Sequence, residues 1–122
     1  MRFMVFVIPN KEDYLAGKMP PDELFAAMTD YNEQLIKAGI MKEGECDGMK
    51  PTSERKRIAM DGDKRTVIDG PFKPVREQAT GYWIWDVKDM DEAIMWAKRC
   101  PNTMPGPSEI EICPCFEPED FQ

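Results

Sequence analysis

The chain has no histidine among its 122 residues. Any acid–base chemistry therefore falls to Asp, Glu, Lys, Arg, Tyr or Cys. Asp69 stands in Val67-Ile68-Asp69-Gly70-Pro71-Phe72, where an apolar run meets a Gly-Pro turn. Its carboxylate is placed either as a base or ligand anchor at a cavity rim, or as a cap on the turn amides. Lys50 lies in a Gly/Pro loop. Beside an apolar pocket its pKa would fall and it could act as a base or Schiff-base nucleophile; on the surface it is a solvated cation. Asp69 and Lys50 together form the candidate catalytic pair, able to hold a carboxylate-bearing ligand and move a proton. Glu45, Arg76 and Glu77 are candidate ligand-orienting charges, with surface ion pairing as the alternative. Trp83 and Trp85 could wall a cavity for a small cyclic or acyl ligand, and both also suit a core. Glu109 and Glu111 fall on one strand face about 7 Å apart, a spacing open to paired carboxylate work or to simple solvation. Cys113 and Cys115, even with Cys46 or Cys100, lack the Cys-x-x-Cys or His spacing of a structural zinc site. No metal and no cofactor is expected.

The totals narrow the partners. Sixteen Lys and Arg against 23 Asp and Glu give a net charge of −7. That balance repels phosphate backbones and excludes nucleic acid as the expected partner. Arg55-Lys56-Arg57 is the longest basic run and reads as a solvated strand edge. Hydrophobic residues make up 42% of the chain, enough for one modest core. No apolar stretch approaches a membrane span, and the apolar start is cut off by Pro9 without a cleavage site. A cytoplasmic, single-domain protein over 1–122 with reduced thiols is expected.

Positioning these residues requires a definite order of elements. Residues 2–8 read as a central strand, apolar on both faces. A long polar connection to Pro21 could cover a cleft. Residues 21–38 carry a helical stripe of Leu24, Met28, Tyr31, Leu35 and Ala38, and Gly39 ends the helix. A weak strand within 40–49 precedes two short runs, 57–60 and 65–68, joined as a hairpin at Asp61-Gly62-Asp63. Residues 81–87 are the strongest strand. Asp89 caps a second helix with Glu92 three residues on, Ala93, Ile94, Ala97 and Cys100 form its apolar side, and Pro101 ends it. Residues 108–116 alternate, with Pro114 marking an edge position or the frayed end of the strand.

This order gives an α+β, ferredoxin-like βαββαβ layer: an antiparallel sheet with both helices on one face. Trp83, Trp85 and the first strand are expected to put apolar side chains on both faces. An uncovered apolar face calls for a partner, most simply a second copy packed sheet against sheet in a homodimer.

The residues also carry a resemblance. The tetrapeptide Asp69–Phe72, its approach DGDKRTVIDGPF at 61–72, MPPDELFAAMTDYNEQLIKAG at 19–39, GYWIWDVKDMDEAIMWAKRCPN at 81–102 and FEPEDF at 116–121 resemble the YciI-like proteins, in particular the subgroup named for its Asp-Gly-Pro-Phe motif. The resemblance implies a ferredoxin-like protomer, sheet-to-sheet dimers of the dimeric α+β barrel kind, and a cavity near the interface. Some relatives are thought to hold a pocket His and Asp, and a few act as lyases or isomerases. This chain departs from that pattern: Lys50 stands at the histidine position after two inserted residues, and Pro74 replaces a Glu after the motif. A histidine-based mechanism is thus excluded. Small-molecule binding in a cavity near the dimer interface, without turnover, is the expected function; a cofactor-free lyase or isomerase using Asp69 and Lys50, and a purely structural dimer, are the alternatives.

Overall fold

The computed structural model describes residues 1–9, 22–72, 78–102 and 106–122. Strand β1 (Arg2–Ile8) leads to helix α1 (Asp22–Lys37), the short strand β2 (Cys46–Gly48) and a 3₁₀ turn (Thr52–Glu54). The hairpin β3 (Lys56–Asp61) and β4 (Lys64–Asp69) follows, then β5 (Gly81–Asp86), α2 (Met90–Lys98), β6 (Glu109–Pro114) and a closing 3₁₀ turn (Pro118–Phe121). The main sheet runs β2-β5-β1-β6 with every neighbour antiparallel. That is the ferredoxin-like order, and β3–β4 is a separate two-stranded insertion between β2 and β5. The connection over residues 10–21, expected as a cleft cover, lies outside the described residues.

Alternation decides the two faces of the sheet. Phe3 pairs with Trp85 and Val5 with Trp83 in register, and all four are buried. They meet Tyr31 and Leu35 of α1 and Ala93 and Trp96 of α2, so both helices cover this one face. Tyr31 and Trp83 pack edge to face at 6.2 Å between ring centres. Both sheet tryptophans therefore point toward the helices, since residues two apart on a strand share a side. The outer face is apolar through Met4, Phe6, Ile8, Tyr82 and Ile84, all half-exposed.

The helices end as their sequences dictate. Gly39 takes a φ of 76°, its N–H donates to the Ile36 carbonyl, and the Ile40 N–H reaches back to Leu35. This is a Schellman closure, and it turns Ile40 and Met41 into the core. Ala38, expected in the apolar stripe, is exposed instead. The Asp89 side chain accepts from the Glu92 N–H at 2.9 Å, which satisfies one free amide of the first turn of α2. Ile94, expected on the apolar side of α2, is exposed, and Trp96 fills the core.

Candidate functional site

A cavity of about 340 Å³ opens between α1 and the β2 end of the sheet. From the helix it is lined by Phe25, Met28, Thr29 and Asn32. These stand at i, i+3, i+4 and i+7, one stripe of a helix. From the sheet come Val7, Trp83 and Cys46, with Gly48 and Gly81 between them. Gly48 and Gly81 are a direct cross-strand pair on the helix side. Two facing glycines leave the sheet bare there, and this absence of side chains makes the cavity. A methyl added at Gly48 would touch nothing within 4 Å.

The polar groups of the cavity are few and placed. The Trp83 Nε1–H donates to Asn32 Oδ1 at 2.8 Å, which orients the amide and leaves Asn32 Nδ2 to donate elsewhere. Thr29 donates its hydroxyl proton to the Phe25 carbonyl at 3.2 Å, so its oxygen remains an acceptor. Burial, and then the nearby Asp47 carboxylate, raise the Cys46 pKa and keep its thiol protonated. The β2 backbone adds more. The Ile84 N–H donates to Glu45 and the Met49 N–H to Thr80. That phase makes Asp47–Tyr82 the bonded pair and turns the N–H and C=O of Cys46 and Gly48 to the open edge. The wall is thus largely apolar, with an amide donor, a hydroxyl acceptor and strand-edge groups beside it and Asp47 of β2 among its lining residues.

The residues singled out from sequence are dispersed over the chain. Asp69 sits at the end of β4, exposed, and its carboxylate accepts from Lys56 Nζ, its cross-strand neighbour, at 2.5 Å. The carboxylate bonds across the hairpin rather than to the turn amides, so the expected turn cap is replaced by an ion pair. Lys50 is 81% exposed and pairs with Glu54 at 3.8 Å. No contact joins it to Asp69. The Glu45 carboxylate accepts the Lys42 N–H at 3.4 Å, closing a local turn. Trp83 reaches the cavity, whereas Trp85 is wholly buried beneath the helices with its Nε1–H unpartnered. Arg76 and Glu77 lie outside the described residues. Glu109 and Glu111 share the outer face of β6, and the four thiols are free. Among the described residues no three His, Cys, Asp or Glu side chains converge as metal ligands. No described helix is long and apolar enough to cross a membrane.

The Asp-Gly-Pro-Phe segment has a clear local role. The Gly70 N–H donates to the Arg55 carbonyl at 2.9 Å, and the Phe72 N–H donates to Thr52 Oγ1 at 3.2 Å. The Gly70–Pro71 peptide is cis. The Arg57 guanidinium lies 3.9 Å over the Phe72 ring. Arg55 itself donates to the Lys50 and Ala79 carbonyls. The motif therefore ties the base of the hairpin to the Thr52–Glu54 turn.

Sequence reasoning missed Phe25, Thr29 and Asn32 because the core stripe of α1 drew the eye. The signal was present in the second, offset stripe 25-28-29-32 and in the glycines at 48 and 81. Fold and cavity together describe an α+β sheet protein with a small apolar pocket between helix and sheet edge. The chain belongs to the family of the YCII-related domain, whose model matches residues 1–115. It is also similar to an uncharacterized protein, R00369, of Rhizobium meliloti (strain 1021), at 25% identity over 98 residues, 80% of this chain and 77% of that protein.

Proposed function

We propose that this protein binds a small, uncharged molecule in the cavity between α1 and β2, without turning it over, and that a second copy covers the outer face of its sheet. The observation that carries the reading is the glycine-floored cavity with Asn32 Nδ2 free to donate. A flat acyl or cyclic ligand fits: its apolar body lies against Phe25, Met28 and Trp83, and its carbonyl accepts from Asn32. Binding without turnover is favoured because, among the described lining residues, only Cys46, Asp47 and Tyr82 are titratable, and the thiol is held protonated. Turnover by Asp69 and Lys50 draws less support, since the protomer holds them in separate, exposed ion pairs.

The test is a thermal-shift screen of small metabolites against wild type, Gly48→Leu and Asp69→Asn. A ligand at a hundred times its Kd adds about 2.7 kcal/mol, a shift of several degrees in a domain of this size. The shift is expected in wild type, retained in Asp69→Asn, and lost in Gly48→Leu, whose new side chain enters the cavity. Loss in Asp69→Asn with retention in Gly48→Leu would move the site to Asp69. No stabilising ligand for wild type would leave the purely structural dimer.

A further inference from the structure

Among the described residues the β3–β4 hairpin pairs with no other strand, and it is exposed at every position of both strands. Two strands alone are at best marginally stable in water, and the described ties of this pair lie at its base, around Gly70 and Phe72. The register puts Ile58, Met60 and Val67 together on one of its faces, 52%, 72% and 62% exposed. A contiguous apolar patch of this kind marks an interaction surface. Arg65, opposite Met60 on the same face, bonds to the carbonyls of Gly62 and Lys64 and has no acid partner among the described residues.

Charge identifies the occupant. Five of the chain's 16 Lys and Arg lie between Arg55 and Asp69, against three of its 23 acids. The hairpin is therefore basic and the rest of the chain strongly acidic. The outer sheet face supplies the complement: half-exposed Met4, Phe6 and Ile8, bordered on β6 by exposed Glu111, which sits in register with Phe6 and has no ion-pair partner among the described residues. One chain thus carries both an apolar arm with a free cation and an apolar face with a free anion. Two such surfaces on identical chains can meet reciprocally across a two-fold axis, each contact made twice.

We infer that the β3–β4 hairpin is a clasp: each copy lays Ile58, Met60 and Val67 across the β1–β6 side of the outer sheet face of the second copy, with Arg65 against Glu111. This rests on the second copy proposed above and specifies its contact. The Asp-Gly-Pro-Phe motif, by fixing the hairpin base, sets the direction of the arm.

The test measures self-association of the full chain by sedimentation over a concentration series. Wild type is expected to dimerise. Ile58→Asp/Val67→Asp and, separately, Arg65→Glu are each expected to weaken association at least about tenfold at low salt, where a charge pair is least screened. Far-UV and near-UV circular dichroism should stay unchanged, because these side chains are already exposed in the protomer. The double variant Arg65→Glu/Glu111→Arg, which restores the opposite charges, is expected to recover most of the loss. A dimer indifferent to Ile58→Asp/Val67→Asp overturns the clasp and leaves the dimer standing. A double variant that recovers nothing overturns the contact between arm and β6. A monomeric wild type removes both readings, while ligand stabilisation is measured independently.

Discussion

Tyr31 joins the two helices through one buried bond, its hydroxyl donating to the Trp96 carbonyl at 2.6 Å. Burial raises the tyrosine pKa, Cys100 adds to the rise and Arg99 opposes it. Burial also pushes the Cys100 thiol from 9.0 up to about 12. Both groups therefore keep their protons in the folded chain at a pH where the unfolded chain releases them. Their contribution is fully present below about pH 9 and is lost as pH climbs toward the folded values. The melting temperature should be level from pH 7 to 9 and fall steeply above, and Cys100→Ala should flatten part of that fall. A wild-type profile that stays level to pH 11 would defeat the argument. Tyr31→Phe should cost only about 1 kcal/mol at neutral pH in urea unfolding, because the Trp96 carbonyl keeps the Arg99 N–H at 3.1 Å. Asp69 shows how little of a residue's partnership is legible in sequence. Its position at the end of a strand could be read from the Gly-Pro that follows, but its bond to Lys56 depends on hairpin register, which two short runs leave open. Exposed as it is, that pair is worth under about 1 kcal/mol.

Elements were far more legible than partners, for reasons that differ between them. Strand β5 announces itself by aromatic and β-branched residues, and α2 by Asp89 and Pro101, because these signals act locally. Strand β2 has only three residues, the last of them Gly48, so the sequence marks it only as a weak strand somewhere within 40–49; its pairing with β5 fixes its bounds. The cavity was hidden for the same reason, since Gly48 and Gly81 matter only once they face each other. Gly70 is the sharpest constraint at this scale. A Cβ built there would lie 1.7 Å from the Thr52 carbonyl oxygen, and a backbone atom cannot swing away as a side chain can. Gly70→Ala should therefore cost about 1–3 kcal/mol or more, read from the urea midpoint, and should loosen hydrogen-exchange protection at Phe72. Gly62→Ala, at the hairpin tip with a φ of 58° and no neighbour within 4 Å, should cost about 1 kcal/mol from backbone strain alone. Equal costs at the two glycines would mean that close approach to Thr52 is not what Gly70 supplies.

For the molecule as a whole, the two faces of β1 set different properties, and adjacent positions separate them. Val5 is fully buried against the helices; Phe6, next along the strand, is half-exposed on the outer face with Tyr82 and Glu111 as its cross-strand neighbours. Truncating Val5 to Ala leaves a cavity in a packed core and should cost about 2 kcal/mol at any protein concentration, without altering the assembly. Phe6→Thr keeps strand propensity and removes apolar surface that the proposed second copy would bury. Its effect should appear as a weaker dimer, with the melting temperature of wild type rising with protein concentration and that of Phe6→Thr nearly independent of it. The far-UV spectrum of Phe6→Thr should match wild type. If Phe6→Thr instead lowered stability equally at all concentrations, the outer face would belong to the protomer's own core, and the case for a second copy resting on it would fail.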